Sequence, residues 1–363
     1  MFTIAIFFLV LSILVIIHEL GHFITAKLCG IKVEEFGFGI PPRIFGIKIG
    51  ETLYSLNLLP FGGFVKVFGE EAEELKGKKL SPKTLSRSFT HKKNWQKVAV
   101  LCAGVFFNFL LGWGIVSYLF TQGVPVPSKN VFIEEVRKGS PADIQGLKKG
   151  DVIQKVTTDK ETVIIDDLTD ISTTAKKYGG KEILLVIKRG DQIENISIIP
   201  RKNPPKNEGS LGIVISNFVI KKYSWTEAPV HGLIESAKMT KIIFVELSKT
   251  LVNFVTFQKT DAEISGPVGI ARLTSDAARQ GSNALLQMIG LLSLNLAVIN
   301  ILPFPALDGG RLALVLYEAI SKRKVNPTVE RRLNIAGFAI LLSLIALVTI
   351  NDIIKIILAY DGN

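Results

Sequence analysis

Residues 2–26, FTIAIFFLVLSILVIIHELGHFITA, decide how this chain is read. Up to Ile17 the only polar members are Thr3 and Ser12, and about 20 apolar residues in a helix cross the roughly 30 Å hydrocarbon core of a bilayer. The run then meets His18-Glu19-Leu20-Gly21-His22. On a helix, His18 and His22 lie one turn apart on one face, spaced to bind a single zinc ion, and Glu19 is placed to take a proton from a water there. Two imidazoles and a carboxylate inside an apolar span are costly without partners, so ionisable groups at membrane depth read as functional.

Three more stretches are long and apolar enough to span a bilayer: 98–120, 284–307 and 333–360. The first of these carries Ala99, Ala103, Gly104, Gly112 and Gly114, small residues that let membrane helices approach closely. The stretch 284–307 is interrupted by Gln287, Asn295 and Asn300, which is unusual for a helix that only faces lipid. Buried core helices seldom run this far without charge. The pattern therefore predicts a polytopic α-helical membrane protein with four transmembrane helices.

The 363 residues include 43 Lys and Arg against 32 Asp and Glu, a net charge of +11, while 48% are apolar. So apolar a chain is not disordered. No Lys or Arg precedes the first span, twelve fall within 27–93, and six within 311–332. By the positive-inside rule both connecting segments are expected in the cytoplasm, with both termini and the long segment between the second and third spans outside. His18 then lies some 20 Å or more from the outer end of its helix, inside the bilayer and nearer the cytoplasmic face. The basic residues form no aromatic-interleaved stripe or reading helix, so nucleic acid is excluded as a partner. Cys29 and Cys102 are too few for a disulfide framework or a cysteine zinc site, and are expected as free buried thiols.

The remaining segments read as water-soluble or membrane-adjacent. Within 124–201, Ser140-Pro141-Ala142, Gly146-Leu147, Gly150-Asp151-Val152-Ile153, a strand at 183–188, a turn at Arg189-Gly190-Asp191 and a strand at 193–199 resemble a PDZ domain. Such domains bind extended peptides by adding a strand to an open sheet edge. Residues 202–210 read as a linker. Beyond it, 226–257 shows helical spacing of Leu233, Ile234, Ala237, Ile243, Phe244, Leu247, Leu251 and Phe254, a stripe expected on the outer membrane surface or against the PDZ-like unit. On the cytoplasmic side, Gly37-Phe38-Gly39, Pro41-Pro42 and Pro60-Phe61-Gly62-Gly63-Phe64-Val65 predict bent strands beside the membrane, which must line a protein cavity to satisfy their backbone. The acidic run Glu70-Glu71-Ala72-Glu73-Glu74 and the lysines after it read as a solvated loop.

A catalytic zinc takes three protein ligands and leaves one position open. His91 and His231 fall in soluble segments on opposite sides of the membrane. The better candidate is Asp308 in Asn300-Ile301-Leu302-Pro303-Phe304-Pro305-Ala306-Leu307-Asp308-Gly309-Gly310, on the same side as His18 and His22. Capping the following helix is an equally good use of that residue.

The HExxH in the first span, the Gly-rich loop after it, the PDZ-like insert, Ser265-Gly266-Pro267-Val268-Gly269 and the Asn-x-x-Pro-x-Pro-x-Leu-Asp-Gly-Gly stretch together resemble the site-2 protease family of intramembrane zinc metalloproteases, RseP-type, over essentially the whole chain. The resemblance implies that His18, His22 and Asp308 bind Zn2+ and that Glu19 is the general base. It implies cleavage of single-span membrane proteins within or beside their transmembrane helix, such as an anti-sigma factor or remnant signal peptides. Substrate handling is implied for Asn295 and Asn300, and substrate strand pairing for Gly37, Phe38, Gly39, Gly62 and Gly63. Only one PDZ-like unit fits, where better-known RseP proteins carry two.

The expected organisation is a first span at 1–26, a cytoplasmic loop with a membrane-associated β region at 27–96, a second span at 97–120, and one extracytoplasmic PDZ-like domain at 121–203. A linker and amphipathic helix follow at 204–282, then a third span at 283–307, a cytoplasmic loop and short helix at 308–332, and a fourth span at 333–360. The expected location is the bacterial plasma (inner) membrane, multi-pass. The partners are the lipid bilayer, single-span substrates, and a peptide or substrate ectodomain at the PDZ-like unit. A competing class is a catalytically silent PDZ-containing adaptor, disfavoured because Glu19 accompanies all three candidate ligands. A membrane zinc enzyme acting on a lipid amide is disfavoured by the peptide-binding module.

Overall fold

Among the described residues, four helices are long and apolar enough to cross a membrane: Ile4–Leu28, Asn94–Gln122, Ser282–Ile301 and Pro327–Lys355. They belong to a computed structural model that describes residues 2–70, 80–206, 208–256, 258 and 265–361. The chain divides into two compact units, one of Met1–Thr121 with Ser224–Asn363, the other Gln122–Tyr223.

Helix α1 (Phe2–Leu28) ends in a left-handed turn. Gly30 takes φ +66°, its N–H reaches the Lys27 carbonyl, and the Ile31 N–H reaches that of Ala26. This double bond satisfies carbonyls the helix end leaves over. Strands β1 (Val33–Ile49) and β2 (Thr52–Val67) then pair. Phe36 faces Val65 on one side and Tyr54 on the other, and Gly37 likewise faces Phe64 and Ser55. The first half of β1 therefore lies between the two halves of β2, and residues 62–67 form an outer edge. A short turn of helix, α2 (Pro82–Leu85), is capped by Ser81. Helix α3 (Asn94–Gln122) follows. Residues 71–79 of the acidic and lysine-rich segment lie outside the described residues. Glu70 is described, and it is ion-paired with Arg311 rather than merely solvated.

The second unit contains β3 (Val124–Val136), α4 (Pro141–Ile144), β4 (Val152–Thr157), β5 (Thr162–Ile164), α5 (Leu168–Lys177), β6 (Ile183–Arg189), β7 (Gln192–Ile198) and β8 (Ile213–Lys221). Its antiparallel sheet runs β7-β6-β4-β3-β8, with β5 pairing β4. Alternation in β6 sends Ile183, Leu185 and Ile187 into a core with Ile133, Ile153 and Ile171. The unit does not stop near residue 203. Leu211 is in the core and β8 completes the sheet, while the Arg201 N–H bonds the Ser210 carbonyl at 2.8 Å. The stretch read as a linker is a loop within this unit. Its Pro and Gly content reports a turn, and cannot say whether the chain leaves or returns.

The chain continues through α6 (Ala228–Val255), α7 (Pro267–Gln280), α8 (Ser282–Ile301), α9 (Asp308–Ser321) and α10 (Pro327–Asp361). Helix α6 has neighbours within its own unit. Trp113 Nε1–H donates to the Pro229 carbonyl at 2.8 Å, a side chain at Gly232 would collide with Ser117, and Ala237, Thr240 and Phe244 face Cys102, Val105, Phe109 and Val298 across a cavity of about 560 Å³. The helix thus runs along α3 and α8, although Leu233, Ile234 and Leu251 of its apolar stripe stay exposed. The side chain of Phe254 lies outside the described residues.

Two further expectations need correction. The third apolar stretch, expected to run to 307, is helical only to Ile301; Leu302 is extended, because Pro303 and Pro305 cannot donate backbone hydrogen bonds and disfavour helix before them. Cys29 and Cys102 are free but only half-buried.

Candidate metal centre

The helix spacing that puts His18 and His22 on one face also buries both, at 8% and 9% exposure. Their Nε2 atoms are 3.2 Å apart. Asp308 Oδ2 closes the triangle, 3.0 Å from His18 Nε2 and 3.2 Å from His22 Nε2. Three ligand atoms around a tetrahedral zinc with bonds near 2.0 Å would stand about 3.3 Å from one another, so the donor set and its spacing fit that ion.

Asp308 reaches this point because the chain turns sharply after α8. A Cβ at Gly309 would collide with the Leu302 carbonyl, and one at Gly310 with that of Phe304. Leu307, not Asp308, occupies the cap position of α9. The capping use is therefore not the one adopted: the Asp308 carboxylate is turned to the two histidines.

Helix α3 holds the opposite side of the rings. His22 Nδ1–H donates to the Val100 carbonyl at 2.8 Å, and Asn108 Nδ2 stands 3.2 Å from His18 Nδ1. Between them, any side chain at Gly104 would collide with both imidazoles. Val100, Gly104 and Asn108 recur every four residues and form one stripe of α3. Sequence reading noted Gly104 only as a packing residue and did not single out Asn108; the one available signal was that fourfold spacing of a glycine and an amide in an apolar helix.

The remaining candidates separate. Asn300 Nδ2 is 3.5 Å from His18 Nε2, at the centre. Asn295 donates to the Leu291 carbonyl of its own helix at 3.1 Å and is not brought there. A Cβ at Gly63 would stand 3.6 Å from Glu19 Cγ, and one at Gly62 3.6 Å from Val15, so the outer edge of β2 runs beside Glu19. Gly37 and Phe38 are flanked on both sides by strand neighbours, and Asn57 Nδ2–H groups donate to the Phe38 and Gly39 carbonyls. That segment has no free edge to offer. His91 bonds Ser88 at 2.9 Å and His231 stacks on Phe120, both apart from the triangle.

Two histidines one helical turn apart, an aspartate, an adjacent glutamate and apolar helices of membrane-spanning length define a membrane zinc peptidase. The chain belongs to peptidase family M50, whose model matches residues 6–344. A Clostridium perfringens protein is 37% identical over 346 residues, 95% of this chain and 97% of its own. The regulator of sigma-W protease RasP of Bacillus subtilis is 30% identical, covering 98% of this chain and 99% of its own. The zinc metalloprotease RasP of Oceanobacillus iheyensis is 29% identical over 99% of this chain and 100% of its own. The protein is accordingly a zinc metalloprotease of the site-2 protease type and a multi-pass membrane protein.

Proposed function

We propose that this protease cleaves single-span membrane proteins within or beside their transmembrane helix, with His18, His22 and Asp308 as metal ligands and Glu19 as general base. The observation that carries the reading is the triangle of ligand atoms with edges of 3.0–3.2 Å on a helix long enough to cross a bilayer. Bound there, zinc supplies a Lewis acid that polarises the scissile carbonyl and acidifies water. Glu19, one residue from His18, accepts the proton of the attacking water and returns it to the leaving amine.

A helical substrate must lose its internal hydrogen bonds before its carbonyls can be attacked. The outer edge of β2 at Gly62 and Gly63, beside Glu19, is suited to hold the released backbone by strand pairing. Asn300 is suited to bond a freed peptide group. Asn295, bonded to its own helix, fits an intrahelical use better.

The second unit fits a PDZ-like peptide reader. Strand β8 is an edge of its sheet with α5 packed beside it, and Val214 and Phe218 on β8 are exposed. A strand-shaped substrate ectodomain or peptide would pair there. The positive loops support a cytoplasmic 27–93 and 311–332 with the second unit outside, in a bacterial plasma membrane. The exposed Ile44, Phe45, Ile47 and Ile49 of the hairpin support its contact with the bilayer. The name of the Bacillus subtilis relative, regulator of sigma-W protease, supports a role in sigma-factor control, for which an anti-sigma factor is a suitable substrate.

The test is Glu19→Gln, assayed in proteoliposomes with a single-span model substrate. It should retain about one zinc per chain and lose cleavage by roughly 10²–10⁴-fold or more. A fully active variant would refute the assignment.

A further inference from the structure

We infer that Asn108 is a positioning residue for the metal centre: with metal bound, its amide turns its oxygen to accept a hydrogen bond from His18 Nδ1–H and so keeps the Nε2 lone pair of that ring turned to the metal. This deepens the proposed zinc site and rests on it.

The two histidines meet the same requirement by different means. A neutral imidazole carries one proton, so a ring that ligates through Nε2 must carry it on Nδ1, and the partner of Nδ1 must be an acceptor. For His22 the partner is the Val100 carbonyl at 2.8 Å, which can only accept. For His18 it is the Asn108 side chain, which stands with Nδ2 3.2 Å from the ring nitrogen. An amide can turn either end to a neighbour. With the N–H end facing His18 Nδ1, as it stands here, the ring proton sits on Nε2, 3.0 Å from Asp308 Oδ2. That arrangement leaves no Nε2 lone pair for a metal, so metal binding requires the amide to turn over and present its oxygen to the ring.

The surroundings of Asn108 point to the same use. Its side chain is fully buried in an apolar helix, a setting in which an amide is costly unless it bonds. Among the described residues its side chain bonds only through Nδ2, to His18, and Oδ1 is buried without a partner, a partner that the turned amide gains in His18 Nδ1–H. The backbone is pinned as well: Ser293 Oγ–H of α8 donates to the Asn108 carbonyl at 2.8 Å. With Gly104 pressed against both rings, the stripe of α3 leaves His18 little room to turn.

The test compares zinc affinity, by competition with a chromophoric chelator, in the full-length detergent-solubilised wild type, Asn108→Leu and Asn108→Asp. Loss of such a ligand-orienting group weakens metal binding by roughly 10–100-fold, which is expected for Asn108→Leu, whereas Asn108→Asp, an acceptor only, should stay within about threefold of wild type. Equal affinity for Asn108→Leu and wild type would overturn the inference. So would an Asn108→Asp variant as weak as Asn108→Leu, because a structural or donor role would not be rescued by a carboxylate. A wild type that binds no zinc would instead refute the site itself. Should the leucine variant not fold, ¹⁵N-histidine spectra of the zinc-loaded wild type decide. His18 should show a protonated Nδ1 and a metal-bound Nε2, and metal bound through Nδ1 would overturn the proposal.

Discussion

Asp308 Oδ2 stands 3.2 Å from His22 Nε2 although 286 residues separate them in the chain. Substituting Asp308 by Ala removes one corner of the triangle while leaving both histidines on α1. Zinc content, measured by atomic absorption on chelator-washed protein, should fall from about one per chain to below about a tenth. Undiminished zinc would exclude Asp308 as a ligand.

Gly104 is the point where α3 touches both imidazoles, and a methyl group there has nowhere to go. Gly104→Ala should cost about 1–3 kcal/mol of stability through overpacking. It should also loosen zinc binding, because either the rings or α3 must shift. Thermal unfolding together with metal affinity checks this, and a variant normal in both would mean the helices are not so closely apposed.

At the edge of β2, Gly63→Val presses on the Gly37 carbonyl, 2.9 Å from the new Cβ, and places bulk beside Glu19 without touching a proposed ligand. Cleavage should fall at unchanged zinc content. The loss should be smaller for substrates already unwound at the cut site, since the edge is proposed to hold the released backbone. Equal losses for helical and unwound substrates would count against that role.

At the turn of the β1–β2 hairpin, the hydrogen bond from Arg87 at 2.6 Å, with Lys27 nearby, holds the Glu51 carboxyl below its ordinary range. A lowered folded-state value contributes stability above the unfolded value near pH 4.5 that is lost as pH falls through the folded one. Because both groups are substantially exposed, the contribution is about 1 kcal/mol or less. Glu51→Gln should therefore melt slightly below wild type at pH 7, and the gap should close on acidification below about pH 4. A gap that widens in acid would contradict the pairing.

Much of the architecture was legible in one dimension. Crossing lipid requires a long apolar helix whose backbone bonds are all internal, so α1, α3, α8 and α10 announce themselves by length and hydropathy. The HExxH pair is equally local, because its geometry depends only on the four-residue period of the helix that carries it. Where local signals had two meanings, reading stopped. Asp308 could cap a helix or bind a metal, 202–210 could join two domains or loop within one, and the stripe of α6 could face the outer membrane surface or the PDZ-like unit.

Tertiary structure decided the first two of these points and gave α6 neighbours that the sequence did not name. The turn at Gly309 and Gly310 delivers Asp308 to the histidines, β8 returns the chain to its sheet, and α6 lies along α3 and α8. The stripe Val100, Gly104 and Asn108 acquires meaning only when α3 is laid against α1. Sequence by itself determined which residues could do zinc chemistry in a membrane. The fold alone determined which of them meet, because a ligand triangle is a relation among helices distant in the chain, and no local periodicity encodes the distance between them.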